Sequence, residues 1–212
     1  MIDICYWLFY VFIPFYTQIY IFYTFDTYLM LCTLIYESDK MRYVHIMKQG
    51  EYYEKGLTTL FHQILSTYNT KTQKPPPLML DIGMNIGWFS LYSRAHGHDV
   101  AAFEPNPTMF KRVCESLEYN NWGEYADDDT VSLWNYGLGA IPGKFNLTTG
   151  NNPGGSSFHE ERLAKKFRKK MEVSVVTLDS IVVQEGWLDR QISLMKVDGT
   201  SSCVHVSCAH IL

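Results

Sequence analysis

The sequence predicts an α/β fold in which a parallel sheet is covered by helices on both faces. Three observations predict it. Apolar runs at residues 78–82, 99–103 and 192–197 are short and stop at glycine or charged residues, as strands buried on both faces do. Segments of helical periodicity alternate with the first two runs, which calls for crossover connections. A glycine turn at 83–87 follows the first run directly, and open α/β sheets bind ligands at that end of their strands.

The composition agrees. With 212 residues the chain is long enough for one domain with a sizeable core. Hydrophobic residues make up 47% and charged residues 19%, within the range of globular proteins. The net charge of −4 supplies no global field that would favour nucleic acid. Cys5, Cys32, Cys114, Cys203 and Cys208 form no CxxC pair, so they read as free thiols in a reducing compartment.

Taken in order, residues 5–25 carry no charge and are long enough to cross a bilayer core of about 30 Å as a helix. No Lys or Arg precedes the run, so it is not a secretory signal peptide. A membrane anchor is one reading, with Lys40 and Arg42 placing the rest of the chain in the cytosol. Against it, Pro14 and Gln18 fall mid-span and Tyr and Phe replace Leu and Val. Aromatic residues of this kind favour the membrane interface over its centre. The localisation is therefore expected to be membrane-associated or cytoplasmic.

Residues 50–67 read as an amphipathic helix, with Tyr53, Leu57, Leu60, Phe61, Ile64 and Leu65 at helical spacing. Pro75, Pro76 and Pro77 end a linker-like stretch. Strand 78–82 is followed by helix 86–96, strand 99–103 and helix 107–120, with Pro107 suited to a first helical turn. Further strands are expected at 131–136, 144–149, 173–178 and 192–197, and a charged helix at 159–170. The resulting division is an apolar segment at 1–36, a helix and proline-rich linker at 37–77, the α/β domain at 78–198 and a divergent tail at 199–212.

The turn itself carries chemistry. Asp81 ends the first strand, and Gly83 and Gly87 stand in a G-x-x-x-G spacing. Gly83 permits a sharp turn and Gly87 a close approach at the helix start. A nicotinamide dinucleotide fold would want G-x-G-x-x-G, with a pyrophosphate on the helix N-terminus. Asp81 would repel that pyrophosphate but suits a cofactor bearing positive charge. Glu104 follows the second strand, where a carboxylate can accept hydrogen bonds from both hydroxyls of a ribose.

The run from Asp81 through Ile82, Gly83, Met84, Asn85, Ile86 and Gly87, followed by Phe103-Glu104-Pro105-Asn106-Pro107, resembles the FkbM-type methyltransferase family. So do Asn135-Tyr136-Gly137-Leu138-Gly139, Gly155-Ser156-Ser157, Val176-Thr177-Leu178-Asp179 and Leu194-Met195-Lys196-Val197-Asp198, in that order. The resemblance covers residues 78–198. It implies a Rossmann-like class I methyltransferase sheet, S-adenosylmethionine as donor, and most often transfer to a hydroxyl oxygen. By position, Asp81, Gly83, Asn85 and Gly87 would line the methionine and ribose part of the cofactor. Glu104 would bind the ribose diol with Asn106 flanking it, and the loop carrying Leu138 would lie near the adenine. The acceptor would be a small molecule, a glycan or a lipid.

The match ends at Lys196-Val197-Asp198-Gly199-Thr200-Ser201, where the family continues with a glutamate and glycine. The sheet is therefore expected to be incomplete at its C-terminal strands. A non-catalytic cofactor-binding or interaction domain, and a nicotinamide-binding oxidoreductase, stand as the alternatives. Asp198, at a strand's carboxyl end, is the candidate catalytic or acceptor-orienting group. His96 and His98 follow the first helix on the side away from the cofactor and read as surface histidines. Cys203, His205, Cys208 and His210 fit no common zinc spacing, so no metal site is expected. Lys165, Lys166, Arg168, Lys169 and Lys170 read as a solvated helix face. The sequon Asn146-Leu147-Thr148 falls in an expected strand and reads as chance.

Overall fold

The computed structural model describes residues 10–12, 17–24, 27–34, 54–122, 131–149, 156–158 and 169–197. Its first elements are strands β1 (Tyr10–Phe12), β2 (Thr17–Thr24) and β3 (Thr27–Leu34). They form an antiparallel sheet in which Thr17 faces Leu34 and Thr24 faces Thr27. The described parts of the N-terminal apolar run are thus extended, where the length of the run suggested a helix. Their Tyr, Phe, Ile and Thr content favours a pleated strand over a helix. Among the described residues no helix is long and apolar enough to cross a membrane.

Helix α1 (Lys55–Leu65) comes next, shorter than the periodicity suggested. It buries Thr58, Phe61 and Leu65, while Leu57 and Leu60 of the expected apolar face are exposed. Then follow β4 (Leu78–Ile82), α2 (Trp88–Ala95), β5 (Asp99–Phe103), α3 (Pro107–Tyr119) and β6 (Val131–Trp134). The chain continues through β7 (Gly137–Leu138), β8 (Gly143–Thr149), β9 (Lys169–Val176), α4 (Leu178–Gln184), a 3-10 turn at Trp187–Asp189 and β10 (Ile192–Val197).

Among the described residues, β10, β4, β5 and β6 form a wholly parallel sheet in that order. Strand period explains its two faces. Met79, Val100 and Ala102 point toward α1, α2 and α3, where they meet Phe61, Trp88, Leu91 and Val113. Leu78, Leu80, Ile82, Ala101 and Phe103 point the other way, onto Leu178, Ile181 and Val182 of α4 and Leu138 of β7. Each of the larger of these side chains, Val, Leu, Ile, Met or Phe, contributes roughly 1.5–3 kcal/mol relative to exposure. The mixed α/β architecture with a mostly parallel, doubly covered sheet is what a Rossmann-like fold requires.

Three local expectations need correction. Strands β7, β8 and β9 form a second sheet, in which β9 is parallel to β7 but antiparallel to β8. Leu178 begins α4 instead of ending a strand. Thr177 caps that helix by accepting the Ser180 amide at 3.2 Å, and Asp179 in the first turn favours the positive end of the helix. The expected helix at 159–170 lies mostly outside the described residues, and its last two positions, Lys169 and Lys170, belong to β9.

Candidate functional site

Strand order explains why one end of the sheet can hold a ligand. From β4 the chain adds β5 and then β6 on one side, and β10 later pairs on the other side. The reversal puts a topological switch point at the carboxyl ends of β4 and β10. In register, Lys196 of β10 lies opposite Asp81 of β4, and Val197 opposite Ile82. The turn at 83–87 leaves the sheet at this point.

The turn adopts left-handed backbone at three of its five residues: Gly83 at φ 76, Asn85 at φ 54 and Gly87 at φ 80. Glycine meets this demand without steric cost, and asparagine tolerates it better than most residues. The backbone amides of Gly83 and Met84 both donate to the Phe103 carbonyl, at 2.9 and 3.0 Å, which fastens the turn to the end of β5. Gly87 serves packing between helices. A Cβ there would stand 2.8 and 2.9 Å from the Val113 methyls of α3.

Asp81 is fully buried, and both of its oxygens are engaged. Lys196 Nζ donates to Oδ1 at 2.9 Å and Ser90 Oγ to Oδ2 at 2.6 Å. Each oxygen of the buried Asp81 carboxylate thus meets one partner from the protein itself, at the carboxyl end of β4 where the turn begins. Sequence reasoning placed Lys196 in a family-like run but gave it no role and did not anticipate this contact. Its ammonium also donates to the Gly83 carbonyl at 2.8 Å and lies 5.6 Å from the centroid of the Phe89 ring.

Glu104, 7% exposed, is held from two sides. Its Oε2 accepts the Asn85 amide at 2.9 Å, and its Oε1 accepts the Asn106 amide at 2.8 Å. Burial pushes its carboxyl up to about 7, against the opposing pull of those two amides and of the Lys196 ammonium. Neighbouring Asp81 adds to the rise. The Asn135 amide group donates to the Glu104 carbonyl at 2.7 Å, so the segment after β6 also reaches this point. Asn106 caps α3 by accepting the Thr108 amide at 2.9 Å, with Pro107 at the first helical position. Its Nδ2 donates to Ser156 Oγ at 2.9 Å.

The sequence-predicted residues Asp81, Gly83, Asn85, Gly87, Glu104 and Asn106 thus gather at one end of the sheet. Leu138 is 2% exposed and packs in the core with Leu80 and Phe103, whereas Tyr136 is exposed. Asp198 lies outside the described residues, as does the tail at 203–210. Among the described residues no cluster of His, Cys, Asp and Glu could hold a metal.

His98 departs from its expected place at the surface. It is 1% exposed, with Nδ1 3.1 Å from Ser193 Oγ and Nε2 3.3 Å from the Leu65 carbonyl. Burial lowers its pKa from the usual histidine value. His98 precedes β5, at the strand end opposite the glycine turn, so it stands away from the site.

The family described as the methyltransferase FkbM domain matches residues 81–199, more than half of the chain. The chain belongs to the FkbM methyltransferase family. No curated protein and no solved structure matches it. The FkbM match begins at Asp81 and runs through Lys196, so the switch-point turn, Glu104 and the ion pair all fall inside the family's domain.

Proposed function

We propose that this FkbM-family protein is an S-adenosylmethionine-dependent methyltransferase that methylates a hydroxyl oxygen of a small-molecule, glycan or lipid acceptor. One observation carries the reading. A carboxylate, Glu104, is fixed by two backbone amides beside a left-handed turn at the sheet's switch point. A carboxylate offers about four lone-pair positions. With one amide on each oxygen, acceptors remain for both hydroxyls of a ribose, so the residues present fit the cofactor.

The cofactor supplies an electrophilic methyl group on a sulfonium. The protein's part is to bind and orient. Glu104 accepts the ribose hydroxyls, the turn at 83–87 brings backbone close to the ligand, and Asn106 and Asn135 hold Glu104 in place. Fixing donor and acceptor in line is the main contribution expected for such a transfer, and effective molarities for well-oriented groups are large. A lipid acceptor would accord with membrane association through residues 5–25.

Calorimetric titration with S-adenosylhomocysteine tests the donor site. Binding by the wild type is expected, with a loss of about tenfold or more in Glu104→Ala, since a hydrogen bond to a charged group is worth roughly 1.5–3 kcal/mol. The analogue lacking the 2′-hydroxyl should bind the variant and the wild type with a much smaller difference. Absence of binding in a folded wild type would remove the cofactor assignment.

A further inference from the structure

The buried pair at the switch point has a consequence for which form of the cofactor is held. Lys196 and Asp81 are 9% and 0% exposed at their side chains, and their charged atoms are 2.9 Å apart. They arise from strands paired in register, Lys196 opposite Asp81. The ammonium does more than meet the carboxylate. It also binds the Gly83 carbonyl, the first residue of the turn, and lies over Phe89. Phe89 is itself packed against Phe61 of α1, with ring centroids 4.4 Å apart. This surrounds the pair with low-dielectric material, where a charge acts strongly on its neighbours.

We infer that Lys196 is a charge-balancing residue that sets the preference of the donor site between the cationic donor and its neutral product. The inference rests on the reading of this site as an S-adenosylmethionine site. The donor carries a sulfonium, an ammonium and a carboxylate, a net charge of about +1 at neutral pH, and the product loses the sulfonium charge. A bare Asp81 would favour the donor over the product. Paired with Lys196, it contributes no net charge, and among the described residues gathered at this end of the sheet Glu104 is the remaining acidic group.

The test is the ratio of dissociation constants for S-adenosylhomocysteine and S-adenosylmethionine, measured by calorimetry on the full chain at about pH 8, where a carboxylate is favoured in its ionised form. Lys196→Met should shift the ratio toward the donor by about three- to tenfold. Asp81→Asn should shift it toward the product by a similar factor, and the double variant Asp81→Asn/Lys196→Met should return it to the wild-type value. A merely structural pair would weaken both ligands together and leave the ratio fixed. An unchanged ratio in folded single variants overturns the inference. Should Lys196→Met fail to fold, the Asp81→Asn and double variants still decide it, because their predicted ratios differ. Failure of the wild type to bind either ligand would instead overturn the underlying site assignment.

Discussion

Glu104 Oε2 accepts the backbone amide of Asn85 at 2.9 Å, so a carboxylate at the end of β5 fastens the turn that leaves β4. Asn85 holds a left-handed backbone at φ 54, a conformation that costs most non-glycine residues roughly 1–2 kcal/mol and asparagine less. The carboxylate proposed to bind ribose also holds this left-handed residue in place. On that proposal, ligand binding and local order are linked at one group.

The first prediction concerns proton linkage at Glu104. Its carboxyl is raised from the usual value to about 7, so the folded chain holds this proton more tightly than the unfolded chain does. The stabilising contribution is fully present below about pH 4 and is lost as pH rises toward about 7. Denaturant midpoints of the free protein should fall over that window, and Glu104→Gln should flatten the slope. Ligand affinity should move in the opposite sense, because ribose hydroxyls donate to the ionised form. Titrations with S-adenosylhomocysteine should tighten between about pH 6 and about pH 8 in the wild type. In Glu104→Gln they should not.

Gly87 supplies a second prediction. Its φ of 80 and the close Val113 methyls both oppose a side chain. Gly87→Ala should therefore destabilise the fold by about 2–4 kcal/mol, combining left-handed strain with overpacking. Val113→Ala alone leaves a small cavity and should also destabilise. The double variant should recover the steric part but not the backbone part, giving a favourable coupling energy in a thermodynamic cycle. Additive losses would show that Val113 is not what constrains Gly87.

Much of this arrangement was legible in the residues themselves. The strands at Leu78–Ile82 and Asp99–Phe103 have the bounds their apolar runs suggested, since each run stops at a glycine or a charge. Asn106 and Pro107 mark the start of α3 by a side-chain cap and a pre-set φ. Helix α4 was not anticipated, because the apolar run expected as a strand at 173–178 extends to Leu178 and Ile181, Val182 and Val183 are β-branched; the cap at Thr177 was the available signal. The Lys196–Asp81 contact spans 115 positions and follows from strand register, which no local pattern encodes. The burial of His98 depended on partners at Leu65 and Ser193 that only the packed sheet brings together.

His98 yields a third prediction, of opposite sign to the first. Desolvation lowers its pKa in the fold, so the native state resists protonation that the unfolded chain accepts below about 6.5. The contribution to stability is present above that value and is lost as pH falls through and below it. Denaturant titrations below about pH 6.5 should show a steeper loss in the wild type than in His98→Gln. The glutamine variant should be weaker at neutral pH, because it imperfectly replaces the contacts to Ser193 and Leu65. Equal slopes in both proteins would place the acid sensitivity elsewhere.

The last prediction separates the stability of the sheet from its site. Arg190 Nη2 donates to the Pro76 carbonyl at 2.8 Å and to Asp99 Oδ2 at 2.6 Å. Pro76 precedes β4, Asp99 begins β5 and Arg190 precedes β10, so one guanidinium ties three strand beginnings together. Those beginnings lie at the opposite end of the sheet from the glycine turn. The side chains of Arg190 and Asp99 are 22% and 14% exposed, and a partly buried, charge-assisted bond of this kind is worth roughly 1.5–3 kcal/mol. Arg190→Ala should lower stability by about that amount. Arg190→Lys should recover less than half, because a point charge does not reproduce a planar fork. Neither variant should change the affinity of the folded protein for S-adenosylhomocysteine, since the strands between the two ends are rigidly packed. Chemical denaturation reads the first effect and calorimetry the second. A parallel loss of affinity would mean that the alignment of strand beginnings is transmitted along β4 and β10 to the paired Asp81 and Lys196.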